Sequence, residues 1–135
     1  MFKKFLLWAI VCSLFGCAGI APGPDSASSG TASSESQVSA RAEARWQAMA
    51  AKDLDKTYEF LSPGSKAANP LALFKGKIRP LDWRPAKVRS VSCEAGKCSV
   101  NMEITFFDRR LGEVTTVYEE TWIKDAGNWW LVFNG

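Results

Sequence analysis

The sequence predicts an α+β domain in which amphipathic helices lie on one face of an antiparallel sheet. Three observations carry that reading. Apolar residues recur at helical spacing between Val38 and Leu61, and the period changes to two after residue 83. The turns between the later segments are too short for crossover connections, so neighbouring strands must run antiparallel.

The first helix begins near Gln37, where Ser34 and Gln37 have capping-box spacing. It carries Val38, Ala42, Trp46 and Met49 on one face, with Arg41, Glu43 and Arg45 between them. Asp53 is placed to cap a second helix with Leu54, Tyr58 and Leu61 on one side. Ser62-Pro63-Gly64 stops it, a helical turn covers Pro70 to Lys75, and Gly76 releases the chain. Four strands follow. The first, Trp83 to Cys93, has Pro85 near its start, where a missing N–H is easiest to tolerate. In the second, Val100, Met102, Ile104 and Phe106 alternate with Ser99, Asn101, Glu103 and Thr105, the pattern of a half-buried strand. Val114 to Lys124 is long and rich in Thr, Val, Tyr and Trp. Asn128 to Phe133 puts Trp129, Leu131 and Phe133 on one face and Trp130 and Val132 on the other. The turns are Glu94–Lys97, Asp108–Gly112 and Asp125–Gly127.

The 135 residues hold one domain, residues 37–135, and the stretch before it is of another kind. Lys3 and Lys4 precede an uncharged apolar run over residues 5–15. A membrane span needs roughly 20 apolar residues, so the run has the length of a signal-peptide core instead. Leu14-Phe15-Gly16-Cys17 resembles the bacterial lipobox, in which a small residue fits the peptidase beside the cut and the thiol receives a diacylglyceryl group. The resemblance implies that residues 1–16 are a removable signal and that Cys17 is lipidated. The alternative is ordinary secretory cleavage near Cys17-Ala18-Gly19, leaving a plain thiol. Residues 17–36 are rich in Ser, Ala, Gly and Pro with two charges, Asp25 and Glu35, and read as a flexible tether. About 19 such residues reach roughly 25 Å. Ala18 stands where similar lipoproteins retained in the inner membrane carry Asp, which implies the outer membrane, facing the periplasm.

Of the four cysteines, Cys12 leaves with the signal and Cys17 takes the lipid, so Cys93 and Cys98 remain as a pair. In an exported protein they are expected to be oxidised, clipping the Glu94–Lys97 turn. A structural bond is the reading, and a redox pair is the alternative. A zinc site on the pair needs two more ligands and the chain has no histidine, so no metal or cofactor is expected. Losing Lys3 and Lys4 takes the 17 basic residues to 15 against 14 acidic, and that balance points to no nucleic-acid partner. Charge is nevertheless uneven: Lys66, Lys75, Lys77, Arg79, Arg84, Lys87 and Arg89 stand against the single acid Asp82. Lys75, Lys77, Arg79, Arg84, Lys87 and Arg89 are the candidate anion-binding residues, with a solvated connection as the bland alternative.

The stretch Arg45-Trp46-Gln47-Ala48, then Asp53 to Gly64, resembles the opening of nuclear transport factor 2-like domains in bacterial lipoproteins. Glu120 to Val132 is similar to their last hairpin, and the likeness covers nearly all of residues 37–135. It implies a cone, a curved, mostly antiparallel four-stranded sheet wrapped around a helix with a pocket at the open end. That superfamily includes isomerases, dehydratases, binding modules and oligomerisation domains, so activity has to be argued from residues. Histidine, the commonest general base near neutral pH, is absent. Glu119 and Glu120 are adjacent on a strand, point to opposite faces and form no dyad. Tyr58, Asp82, Glu103 and both glutamates read as a hydrogen-bonded tyrosine and solvated carboxylates, so no catalytic residue is assigned. Trp46, Tyr58, Trp83, Trp129 and Trp130 are the candidate pocket or interface, with core packing as the alternative for most. The expectation is a non-catalytic binding or accessory module tethered to the bacterial envelope by its lipid, with a small ligand or an envelope protein as partner. The alternatives are an oligomerisation or assembly scaffold pairing as a homodimer, and an isomerase- or dehydratase-type enzyme acting on a small molecule.

Overall fold

Four positions on one helical face, Val38, Ala42, Trp46 and Met49, are all buried, and they fix how the domain is assembled. A computed structural model describes residues 25–135; Cys17 and the signal segment lie outside the described residues. The chain forms α1 (Asp25–Ala50), α2 (Leu54–Glu59), α3 (Pro63–Ala68) and α4 (Leu71–Lys77). The strands are β1 (Asp82–Trp83), β2 (Lys87–Glu94), β3 (Lys97–Asp108), β4 (Gly112–Asp125) and β5 (Asn128–Val132). All pair antiparallel in one curled sheet, and α1 packs against it through β2, β3, β1 and β5. Among the described residues no helix is long and apolar enough to cross a membrane.

Several sequence expectations are corrected. The helix α1 starts at Asp25, inside the stretch expected to be a flexible tether to residue 36. Once the turns from Val38 onward dock on the sheet the nucleation cost is met, and a stretch free of proline can extend the helix although its Ser, Thr and Gly residues favour it only weakly. Ser34 and Gln37 therefore cap nothing; Gln37 instead donates to Ser33 Oγ (3.3 Å), one turn back. Ser62-Pro63-Gly64 does not simply end a helix: Ser62 Oγ accepts from Ser65 N (3.1 Å) and Pro63 opens α3. Gly76 falls within α4 rather than ending it. The sheet has five strands rather than four, because Trp83–Cys93 is broken over residues 84–86. Pro85 cannot donate to the ladder, so β1 pairs with Phe106–Phe107 and β2 resumes at Lys87 opposite Glu103. Arg84 N still reaches Thr105 O (2.8 Å), which keeps both pieces along the same side of β3.

Two details close the edges. A bulge between Val88 and Ser90 disturbs the β2 ladder, and Glu43 Oε1 from α1 accepts the Val88 N–H (3.3 Å). On the far side, Leu131 N donates to Phe60 O and Ser62 N to Leu131 O (both 2.8 Å), while Phe133 N donates to Ser65 Oγ (3.0 Å). The α2–α3 segment thus covers the β5 edge that would otherwise be open to pairing.

The Cys93–Cys98 bond is formed, across directly opposed residues of β2 and β3 with Cα atoms 4.1 Å apart. Ala95 and Gly96 between the strands both have positive φ (47° and 76°), the geometry of a tight primed hairpin turn. Turn and bond close the same short loop, so the bond adds little order that the turn has not imposed. Replacing both cysteines with alanine is expected to cost about 2 kcal/mol in chemical denaturation with the fold retained. For α1, most side chains from Gly30 to Gln37 are exposed and Val38 is the first buried one. Amide exchange is expected to be faster over residues 30–37 than beyond them, because the buried stripe of α1 begins at Val38.

Candidate functional site

At the end of the sheet where β1 meets β3, the inner face is incompletely covered and aromatic rings line a two-lobed cleft. Trp46 of α1 meets Trp83 of β1 edge-on at 5.5 Å, Trp83 meets Phe106 of β3 at 5.2 Å, and Tyr118 of β4 stands 6.3 Å from Trp46. One lobe, of about 250 Å³, is lined by Met49, Leu54, Ile78, Pro80, Leu81 and Trp83, with Lys52, Lys75 and Arg79. The second, of about 210 Å³, adds Trp46, Ile104, Tyr118 and Phe133, with Arg45 and Lys77. Met49, Ile78, Arg79 and Trp83 belong to both lobes. Gly135 also lines the second lobe, and among the described residues neither lobe is lined by an acidic side chain.

The wall behind the second lobe is an ion pair that sequence reasoning missed. Glu120 on β4 is 2% exposed and Arg45 on α1 is 4% exposed, and the two are hydrogen-bonded through Nη1 and Oε1. Trp46 Nε1 donates to the same oxygen (2.7 Å) and Trp122 Nε1 donates to Oε2 (2.9 Å). The reading of Glu120 as a solvated carboxylate is therefore overturned, whereas Glu119, on the opposite face, is exposed as alternation requires. Two signals pointed to the pair. Arg45 falls on the buried stripe of α1, seven residues after Val38, and Glu120 has the strand parity of Trp122 and faces inward with it. Arg45 Nε is buried without a partner.

The structure divides the expected site residues. Trp46 and Trp83 come together in the cleft. Tyr58 packs on Phe74 (5.3 Å) and its hydroxyl donates to Asn69 O (3.0 Å), so it holds α2 to the α3–α4 connection, away from both lobes. Trp129 is core, 2% exposed. Trp130 lies on the other side of β5, half-buried, with the Arg41 guanidinium 5.5 Å from its ring and Lys66 Nζ at 5.6 Å. Arg41 also lies 5.1 Å from Phe60, and desolvation lowers its pKa from the ordinary arginine value.

The six candidate anion-binding residues do not form one patch. Lys75 pairs with Asp55 (2.7 Å), Arg84 with Asp82 (3.6 Å) and Arg89 with Glu103 (3.7 Å), and Lys87 is exposed on β2. Lys77 Nζ donates to Asn69 Oδ1 and Gly135 O (both 2.8 Å). Lys75, Lys77 and Arg79 reach the cleft, joined there by Lys52 and Arg45. The carboxylate on which Arg79 acts is Asp108. Its Oδ1 accepts from Arg110 N and Leu111 N, and these bonds, more than Arg79, hold its carboxyl below the usual range.

No family model matches the chain, and no curated protein matches it. Among solved structures it is similar to a SEC-C motif containing protein from Rhodopseudomonas palustris, determined in solution. That match has a TM-score of 0.55 and 19% identity, covering 66% of this chain and 70% of that one. It is also similar to a SEC-C motif containing protein from Psychrobacter arcticus in crystal form, at a TM-score of 0.55 and 13% identity. There the match covers 67% of this chain and 55% of the other, so the chain spans little more than half the length of that neighbour. At these identities the likeness establishes a shared α+β fold and nothing of activity.

Removing one partner of a buried pair leaves a desolvated charge. Glu120→Ala is expected to cost about 3–5 kcal/mol in chemical denaturation, while Glu119→Ala stays within about 0.5 kcal/mol. The double variant Arg45→Met/Glu120→Leu should recover only part of that loss, since the buried Trp46 and Trp122 N–H groups still lack their acceptor.

Proposed function

We propose that the chain is a lipid-anchored, non-catalytic binding module of the bacterial cell envelope, built on a nuclear transport factor 2-like cone. The observation that carries the binding reading is the two-lobed cleft around Trp83, an apolar and aromatic hollow with a few polar groups at its margin, the usual make-up of a small-ligand site. Its titratable side chains are lysines, arginines and Tyr118, and among the described residues no acidic or imidazole side chain lines it as a general base. The nearest buried carboxylate, Glu120, has both oxygens engaged by N–H donors. This favours binding over isomerase- or dehydratase-type chemistry.

The outer face of the sheet bears on the scaffold alternative. Ser99, Asn101, Glu103 and Thr105 of β3 lie beside Thr115, Glu119 and Thr121 of β4 there, and Ser99 Oγ and Thr105 Oγ1 bond across to Glu119 and Thr115. Phe107 and Val117, each 48% exposed, interrupt this polar surface, and half-buried Ile123, Trp130 and Val132 share the face beside β5, so the face leaves the homodimer as the alternative.

The anchor is tested separately from the cleft. Mass spectrometry of the full-length chain expressed in a Gram-negative host is expected to find a mature form beginning at acylated Cys17. Cys17→Ser should move the protein from the membrane to the soluble fraction. An unacylated wild-type chain in the soluble fraction would overturn the anchor and leave the cleft to be judged on its own.

A further inference from the structure

We infer that the ligand of the cleft is a small amphiphilic anion, a flat apolar body carrying one carboxylate. This rests on reading the cleft as a ligand site and adds the chemical class that the site selects.

Among the described residues five basic side chains and no acidic side chain line the two lobes, and they differ in the donors they have left. Lys75 is committed to Asp55, Lys52 lies 3.9 Å from Asp82, and Lys77 donates to Asn69 Oδ1 and to Gly135 O, which also lines the inner lobe. Arg79 is different. It lines both lobes, yet its guanidinium makes no hydrogen bond or ion pair among the described residues, and it only acts at a distance on Asp108. Arg45 is committed as well: Nη1 holds Glu120, and its Nε, like that of Arg41 and the indole nitrogen of Trp129, is enclosed in the core rather than open to the cleft. Arg79 is thus the cation with donors to offer, and an anionic oxygen suits it, because charge-assisted bonds are about twice as strong as neutral ones.

The rest of the cleft sets the body of the ligand. Trp46 and Trp83 meet at 66° between ring planes, and Met49 and Ile78 close the hollow beside them. Edge-to-face walls with pliant aliphatic neighbours accept a planar ring or a short chain at modest entropic cost. A cation faces the like charge of Arg79, and a neutral body fits the walls but leaves the Arg79 donors unmet. A carboxylate on a flat apolar frame satisfies both.

The test is isothermal titration calorimetry of the full-length chain in a non-ionic detergent, with detergent blanks. The probes are naphthoate, naphthylmethanol and naphthylmethylammonium, which share one ring system and differ in charge. Naphthoate is expected to bind at least about tenfold more tightly than the alcohol, and the ammonium least of all. Arg79→Gln, at an exposed position where folding is not at stake, should remove about tenfold from naphthoate and leave the alcohol unchanged. Lys97→Gln, an equal charge change on the disulfide hairpin, should alter neither. Equal binding of naphthoate and the alcohol would overturn the anionic class while leaving the cleft a ligand site. Failure of all three probes to bind would overturn the class and the cleft reading together.

Discussion

A carboxylate at 2% exposure in the middle of a sheet is costly to desolvate, and Glu120 persists there because three N–H donors converge on its two oxygens. Two of the donors come from consecutive residues of α1, Arg45 and Trp46, and the third is Trp122 on the same strand. The interaction therefore does more than neutralise a charge. It ties α1 to β4 across the core at a fixed rotation, since a helix turned by one residue would carry both donors away from the carboxylate. Apolar packing of Val38, Ala42 and Met49 tolerates small rotations. Buried ion pairs seldom add net stability over an apolar replacement, so the value of this one lies in specifying a single docking geometry.

That geometry creates the cleft. With its Nε1–H spent on Glu120, Trp46 has its ring held where it meets Trp83 and Tyr118 edge-on. Trp83 is in turn held by the two-residue strand β1, which exists because Pro85 breaks the β1–β2 ladder immediately after it. The chain between α4 and β1 then passes over the open end of the sheet as Arg79-Pro80-Leu81, and the space beneath is not filled. Hollow and cationic margin arise together, because the end of α4 and the segment after it bring Lys75, Lys77 and Arg79 to the cleft.

Much of this was legible in the sequence. The period of α1, the alternation of β3 and β5, the Asp53 cap and the opposed cysteines are local signals that the tertiary structure had no reason to override. Misses came where one residue type serves two structural roles. Pro63 reads as a stop, and it both follows one helix and opens the next. Ser and Ala near residue 30 read as a linker because they bury nothing, yet they continue a helix that others have nucleated. The site was half legible: Trp46 and Trp83 were recognised as candidates, but nothing local brings them together, and Tyr58, Trp129 and Trp130 carry the same aromatic signal while packing elsewhere. Arg45 and Glu120 were readable only by trusting parity over charge.

The fate of the basic stretch shows why counting charges is a poor guide to a binding site. The six cations between Lys75 and Arg89 were one cluster in sequence, and folding sent them to an acid, a carbonyl, bare solvent or the cleft according to strand parity and helix phase. What distinguishes the cleft is therefore not how many cations line it but which of them have donors left over. Arg79 keeps its full set, whereas Arg45 spends Nη1 on Glu120 and its Nε is enclosed in the core. The pair fixes the docking of α1 and with it one wall of the inner lobe, and the engaged oxygens of Glu120 leave recognition of an anion at Arg79, rather than proton transfer, as the chemistry the cleft supports.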